Sequence, residues 1–596
     1  HSVYEMIKLF ESFHGKDIAS MTNTPISIGT QDFEKLRTSA SFYIDKTDLI
    51  REWWERQDDV TLITRPRRFG KTLNLSMMEC FFSKKYAGRD DLFEGLSIWK
   101  SQKYRELQGT FPVLSLSFAA VKGTTYQNTK EAVITVLRKL YEKHDYLLTG
   151  DALSESEKKT FHTLGQYIEP DKDPVREISD NTIAWALNTL MSYMTRHFGQ
   201  KVIVFLDEYD TPSQEAYIHG YWDELTSLVR SMFNSTFKTN DHLYRALMTG
   251  ITRVSKESIF SDLNNLMVVT TTSEEYCSAF GFTEQEVMQT LDEQQRSYEM
   301  ADIRRWYDGF VFGSLDNIYN PWSITMYLRT GEYGTYWADT SSNALVSELM
   351  RTGTPKLKMQ LEDLIAGKYL ETELDEQVIF EQLKQKKGAI WSLLIASGYL
   401  KPELRTFNRE SGRFLYRIRL TNHEVALMFR DMIASWFPED ETSYRNFQRA
   451  LLAGDLDYMN QYMNDVAEEM FGSFDTGRRP SEKKQPERFY HGFVLGLIVD
   501  LSGRYHIRSN RESGLGRYDV MMEPLNDADD AIVIEFKVFS KQKDKTLKRA
   551  VENALKQIDT MKYDTELLAR GIPKKRIRHY GFAFDGQTVL IGDGSS

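Results

Sequence analysis

Thr61-Leu62-Ile63-Thr64-Arg65-Pro66-Arg67-Arg68-Phe69-Gly70-Lys71-Thr72-Leu73-Asn74-Leu75-Ser76-Met77-Met78 decides how the rest of the chain is read. A short apolar run passes into a cationic loop ending Gly-Lys-Thr and then into a helical stretch, which is the context of a phosphate-binding P-loop. Gly70 lets backbone N–H groups approach phosphate oxygens, and the helix N-terminus behind it adds positive potential. Lys71 is expected to reach the β- and γ-phosphates, and the Thr72 hydroxyl to ligate Mg²⁺. Arg67, Arg68 and Phe69 complete the expected nucleotide-binding loop. The first glycine of G-x-x-x-x-G-K-T is Arg65 here, so the loop must turn without it, stiffened by Pro66.

Gly-Lys-Thr also arises by chance in a long chain, and a partner motif decides the matter. Lys201-Val202-Ile203-Val204-Phe205-Leu206-Asp207-Glu208 reads as a buried strand ending in two carboxylates, the Walker B form. Asp207 would hold Mg²⁺ through a water, and Glu208 would orient or deprotonate the attacking water. Thr249, closing the run Tyr244–Met248, is a candidate γ-phosphate sensor, and Arg253 a candidate sensor or finger. Arg253 acting in trans would require a homo-oligomer.

Outward from this loop, the apolar runs Val60–Thr64, Pro112–Phe118, Val202–Leu206 and Tyr244–Thr249 alternate with amphipathic helical stretches. That order predicts a parallel sheet in an α/β domain over residues 22–290, preceded by an arm at 1–21. Residues 291–440 read as a helical, winged-helix-like middle. Ala389–Ser397 is helical up to Gly398, a strand pair surrounds the turn Asn408–Gly412, and Thr421-Asn422-His423-Glu424 has capping-box spacing for another helix. Residues 441–486 read as a helical connector followed by a polar, Pro-containing linker at 473–486, and 487–596 as a final α/β domain with a hairpin turn at Asp585-Gly586.

The chain has 596 residues, 75 basic and 86 acidic, with a formal charge of −11, and is 41% apolar. This composition excludes a disordered, collagenous or disulfide-stapled chain. Two cysteines, Cys80 and Cys277, cannot build a disulfide framework and favour a reducing compartment. The longest uncharged apolar run, Phe493–Val499, is far too short to span a membrane, and the first residues carry no signal-peptide pattern. The expected setting is the cytoplasm.

A second constellation lies near the C-terminus. Arg517-Tyr518-Asp519-Val520-Met521-Met522 and Ala531-Ile532-Val533-Ile534-Glu535-Phe536-Lys537-Val538 read as strands, with fifteen residues between Asp519 and Glu535. Glu535 and Lys537 share one face of an otherwise apolar strand, which is costly unless they pair or bind something. Asp519 and Glu535 can supply carboxylate oxygens to Mg²⁺, and Lys537 can stabilise charge developing on a phosphodiester. The alternative is an ion pair on an exposed edge strand. Glu487 could approach as a third acidic ligand. Gln557 sits on the following helix, within a run (536–580) of thirteen Lys/Arg and five acids that includes Lys541 and Lys548. A cationic rim around an acidic site suits a polyanionic phosphate backbone, although such a run is also what a solvated helix face looks like.

Over almost its full length the chain resembles a prokaryotic family that couples an AAA-ATPase-like domain to a C-terminal PD-(D/E)xK nuclease domain. The matching residues are Phe42–Thr47, Arg65–Thr72, Leu206–Asp210, Tyr319-Asn320-Pro321-Trp322-Ser323, Ser397–Leu400, Asp519, Glu535-Phe536-Lys537, Gln557 and Gly581–Gly586. The nuclease motif reads Tyr518-Asp519 in place of Pro-Asp. The resemblance implies ATP as ligand, a Mg²⁺-dependent restriction-endonuclease-like fold, and a nucleic-acid partner, DNA before RNA. Two rivals remain: a non-catalytic ATP-driven switch that binds a partner or nucleic acid without cleavage, and a P-loop kinase or transferase.

Overall fold

The computed structural model describes residues 24–165, 178–252, 259–260, 263–296, 298–338, 346, 355–365, 367–374, 389–409, 413–434, 441–471, 494, 497–498, 501, 503–513, 516–540, 544–585 and 588–593. They fall into two compact units, one within 1–342 and 371–425, the other within 343–370 and 426–596.

The first unit is built on a parallel sheet. Strands β1 (Val60–Thr64), β2 (Val113–Ser117), β3 (Val202–Asp207), β4 (Leu243–Gly250) and β5 (Leu266–Val269) lie in the order β2-β3-β4-β1-β5. Every residue of β1 and β3 is buried, as continuous apolar runs in a covered parallel sheet should be. Four strands follow the apolar runs of the sequence. The fifth, β5, has only four residues, two of them half-buried, so its apolar signal is weak. Because β4 lies between β1 and β3, the C-terminal ends of three strands stand side by side. β4 also buries a charge: Arg245 donates to the carbonyls of Trp53 (3.2 Å) and Trp54 (3.0 Å) and stacks on both rings.

The same unit holds a small antiparallel sheet, β6 (Phe282–Thr283), β7 (Phe310–Phe312) and β8 (Leu315–Tyr319), in the order β6-β8-β7. Asn320 caps the helix Pro321–Thr330, its Oδ1 accepting from the N–H groups of Trp322 (2.9 Å) and Ser323 (3.2 Å). The helix Ala389–Ala396 leads through Gly398, at φ +84°, into a third sheet. There β10 (Leu400–Asn408) pairs with β11 (Arg413–Leu420), and β9 (Leu370–Glu373) lies on the other side of β11. A helix then begins at His423, so helix, hairpin and helix follow in the expected order. Its cap differs from the expected box. Asn422 Oδ1 accepts from the Val425 N–H (3.1 Å), while the Thr421 hydroxyl donates to the Gly398 carbonyl (2.7 Å). Glu424 is buried and turns instead to the Ser323 hydroxyl (2.9 Å) and the Trp337 N–H (2.6 Å), because burial makes those donors better partners than its own helix start.

The second unit carries a mixed sheet, β12 (Tyr505–Ser513), β13 (Gly516–Pro524), β14 (Ala531–Val538), β15 (Ile577–Asp585) and β16 (Thr588–Gly592), in sequence order. Only the β14–β15 pair is parallel. The helices Glu441–Ala453 and Leu456–Phe471, read from sequence as a connector, place Phe447, Leu451, Met459 and Met463 in a core with Val520, Ile532, Ile534 and Phe582. Asn460 and Asn464 hydrogen-bond both the N–H and the carbonyl of Ile591 and Val589, satisfying the outer edge of β16. The helix Leu547–Met561 packs against β14 and β15. It comes so near that a Cβ on Gly581 would lie 2.9 Å from the Val551 carbonyl. The linker 473–486 and Gly586 of the expected hairpin turn lie outside the described residues. Among those described, no helix is long and apolar enough to cross a membrane.

Candidate functional site

At the end of β1 the chain turns through Arg65–Gly70 into the helix Lys71–Phe82. Gly70 takes φ +79° as its N-cap, and Arg68 adopts a left-handed φ of 64°. The Lys71 ammonium is turned into the loop, donating to the carbonyls of Arg65 (3.0 Å) and Pro66 (2.8 Å). Burial pushes its pKa down, and the carboxylates of Asp207, Glu208 and Asp210 pull it back. A phosphate arriving at the loop would offer this ammonium charged oxygens in place of two carbonyls. Thr72 Oγ1 donates to Asp207 Oδ2 (2.5 Å), and Thr249 Oγ1 donates to Asp207 Oδ1 (2.5 Å). Three segments, brought together by the order β3-β4-β1, thus meet on one carboxylate. Glu208 leaves β3 at φ 50°, with its carboxylate accepting from Thr211 Oγ1 (3.1 Å). A non-glycine residue held there costs about 1 kcal/mol or more, and such strain clusters at working sites.

The loop is braced from several directions. Arg65, at the position of the missing glycine, is fully buried. Its guanidinium donates to the carbonyls of Thr64 (2.9 Å), Thr270 (2.7 Å), Glu275 (3.3 Å) and Tyr276 (3.4 Å) and lies 4.6 Å from the centre of the Phe312 ring. Burial lowers its pKa to about 10, offset only in part by Cys277 and the Glu52 carboxylate. The Arg67 carbonyl accepts from the Trp337 indole (3.0 Å) and from Asn320 (3.5 Å), Arg68 stacks on Trp322 at 4.3 Å, and Phe69 packs on Phe310 and Phe312. Asp210 holds the segment after β4 by accepting from the N–H groups of Ile251 (3.1 Å) and Thr252 (2.8 Å). A Cβ on Gly250 would meet the Tyr209 ring at 2.6 Å, so only glycine fits there.

In the second unit, Asp519 lies one residue beyond the Val520–Ile534 pair, where its Oδ2 accepts from the Phe536 N–H (2.8 Å). Glu535 is buried, and its Oε1 receives Lys537 Nζ at 2.9 Å. The Tyr563 hydroxyl accepts from Gln557 Nε2 (3.0 Å). Burial raises its pKa, the Gln557 bond lowers it, and Glu535 and Asp519 raise it further, so this hydroxyl lies within the field of the cluster. The basic run is partly neutralised. Arg549 pairs with Glu552, Arg570 with Glu523 and Glu566, and Arg576 and Arg578 with Asp530, whereas Lys548 is exposed.

Thr72, Asp207 and Thr249 are therefore brought together with Lys71 and Gly70, and Asp519, Glu535 and Lys537 form a second group. Arg253, Glu487 and Lys541 lie outside the described residues. Sequence reading passed over Tyr563, Asn320 and Trp337 as parts of a site. Only Asn320, ahead of Pro321, carries a local signal, that of a helix cap. Both groups offer hard oxygen donors. Among the described residues there is no cluster of three or more His, Cys, Asp or Glu side chains.

Residues 27–260 match the family model described as a predicted AAA-ATPase, and residues 485–594 match that of the PD-(D/E)XK nuclease superfamily. A protein of Azotobacter chroococcum mcd 1, described as an uncharacterized protein in the vnfD 5′ region, is 25% identical over 437 residues. The match covers 71% of this chain and 73% of the relative. The chain thus joins an AAA-ATPase-like segment to a PD-(D/E)XK nuclease-like one, and with them the potential for both activities.

Proposed function

We propose that this protein binds and hydrolyses ATP at the Gly70–Thr72 loop, cleaves phosphodiesters at the Asp519–Glu535–Lys537 cluster, and lets the nucleotide state regulate cleavage or nucleic-acid binding. The observation that carries the reading is the convergence of Thr72 and Thr249 on Asp207 beside Lys71. These are the groups that phosphoryl transfer needs, and they come from three distant segments.

Thr72 and Asp207 would hold Mg²⁺ in the first unit, and Asp519 and Glu535 in the second. When bound, Mg²⁺ supplies Lewis-acid stabilisation of phosphate charge and lowers the pKa of a coordinated water. In the first unit, Lys71 exchanges its two carbonyl partners for β- and γ-phosphate oxygens. Glu208 orients a water for attack on the γ-phosphorus and takes its proton as the bond to the departing ADP breaks. Thr249 fixes the Asp207 carboxylate and reports whether a γ-phosphate is present. In the second unit, the Phe536 N–H orients Asp519, and Lys537 stabilises negative charge on the phosphodiester as a water attacks the phosphorus. That water loses its proton to solvent and displaces one sugar oxygen, which leaves and is protonated by solvent. The deoxyribose polymer is the favoured substrate, met through Lys541, Lys548 and Gln557.

The test measures hydrolysis of ATP and cleavage of plasmid, single-stranded DNA and RNA in Mg²⁺. Wild type is compared with Glu208→Gln and Lys537→Ala. The reading expects the first variant to lose ATP turnover and the second to lose cleavage. ATP turnover without cleavage of any polymer would favour the non-catalytic switch.

A further inference from the structure

The hairpin β10–β11 carries a surface that packing alone does not require. Between Lys401 and Leu420 there are six basic residues against two acidic ones, in a chain of net charge −11. Two of the arginines are engaged, Arg417 with Glu371 (3.1 Å) and Arg419 with Glu403 (3.0 Å). The register sets Arg405 opposite Tyr416 and Phe407 opposite Phe414, so these four share one face. The Arg405 guanidinium lies 3.6 Å from the centre of the Phe414 ring, and the Phe407 and Phe414 rings are 5.0 Å apart. Phe407 is 51% exposed, although an aromatic side chain that served the core would be covered. At the base of the hairpin this face runs into a cleft of about 440 Å³, lined in part by Asp308, Ser314, Asn317, Lys401, Arg405 and Tyr416. Asp308 Oδ1 is buried there without a hydrogen-bond partner among the described residues.

Exposed aromatic rings interleaved with arginine provide π-faces for bases and cations for the phosphates between them. Paired bases in a duplex present no face to such a ring. A ligand with charge alone, such as inorganic polyphosphate, would leave Phe407 without a purpose. In the cleft the Asp308 carboxyl can accept from the N–H groups on a base edge, while Lys401 and Arg405 beside it suit the phosphates that flank that base. We propose that the Arg405–Phe407–Phe414 face, with the cleft at its base, binds single-stranded nucleic acid by stacking unpaired bases. The assignment rests on the nucleic-acid reading above for the class of polymer, and on the hairpin's own residues for the site.

The test is fluorescence anisotropy on the full chain, in EDTA so that no cleavage occurs. The probes are labelled oligothymidylate and oligouridylate of about 15 nucleotides, and a duplex of equal length. Phe407→Ala should weaken single-strand binding about tenfold, Phe407→Trp should retain it, and duplex binding should change less than about twofold. Arg405→Gln should weaken binding and flatten its salt dependence. The proposal is overturned if wild type binds neither single strand, if Phe407→Ala and Arg405→Gln both bind like wild type, or if duplex affinity falls equally. Plasmid cleavage in Mg²⁺, measured on the same preparations, decides the nuclease reading separately. Lys537→Ala should abolish cleavage, whereas Phe407→Ala should weaken single-strand binding with Lys537 and its cluster intact.

Discussion

Both candidate sites rest on five-stranded sheets, but the two sheets gather their charged residues differently. In the parallel sheet, strand ends far apart in sequence converge on one edge, and Thr72, Asp207 and Thr249 meet there through direct hydrogen bonds. In the mixed sheet, the neighbouring strands β13 and β14 supply Asp519, Glu535 and Lys537 by themselves. The first site is therefore an assembly that needs bracing, and it is braced by Arg65, Asn320 and Trp337. The second is local, and its chief demand is that the sheet stay closed around it. Damage to bracing should propagate in the first unit, whereas a change at one cluster residue in the second should stop chemistry and little else.

The sharpest way to break this contrast is at Lys537 and Asp519. Lys537→Ala and Asp519→Asn should each cut the initial rate of Mg²⁺-dependent plasmid cleavage by about a thousandfold, and Asp519→Asn, which keeps an oxygen for the Phe536 N–H, should leave thermal unfolding nearly unchanged. A large loss of stability would make the cluster a structural ion pair. Arg65→Gly, which restores the common loop glycine, should destabilise the first unit by about 3 kcal/mol in denaturant unfolding, because four carbonyls lose a buried donor. A variant that binds ATP better and is equally stable would show that the bracing is dispensable.

Asn464→Ala should cost about 2 kcal/mol in the second unit by stripping both partners from Val589, and leave ATP affinity untouched in calorimetry. Trp337→Phe, which keeps an aromatic ring but removes the N–H to the Arg67 carbonyl together with part of the buried ring volume, should weaken nucleotide binding by about 1 kcal/mol in the same experiment. The smallest effect concerns Asp308, whose carboxyl burial raises to a pKa of about 6. A carboxyl with a raised folded pKa costs stability once ionised, so the penalty is present above about pH 6 and fades as pH falls toward the ordinary carboxylate range. Asp308→Asn should therefore stabilise the protein at pH 8 by about 1 kcal/mol, allowing for the solvent that reaches it, and by less at pH 5, as read from thermal unfolding.

Much of the fold was legible because apolar runs and their interruptions are local. Val60–Thr64 and Val202–Asp207 announce buried strands, and the Gly70-Lys71-Thr72 and Asp207-Glu208 motifs sit at their ends. The Asp519, Glu535 and Lys537 spacing was legible for the same reason, since one hairpin builds that cluster. What stayed hidden depends on partners distant in the chain. Arg65 looked like a defect in a glycine-rich loop, yet its partners Thr270, Glu275 and Tyr276 lie about two hundred residues away. Nothing in the order of residues announces that Trp337 reaches Arg67, or that Asn460 and Asn464 close the edge of β16. The helices Glu441–Ala453 and Leu456–Phe471 read as a connector because amphipathic periodicity tells that a helix has a partner and not which one.

The most direct test of the account is the dependence of plasmid cleavage on nucleotide, compared in wild type, Lys71→Ala and Lys537→Ala at fixed Mg²⁺. The account predicts a cleavage rate that changes with ATP in wild type, is insensitive to ATP in Lys71→Ala, and is absent in Lys537→Ala. Cleavage that responds to ATP as strongly in Lys71→Ala as in wild type, or that survives in Lys537→Ala, would contradict it.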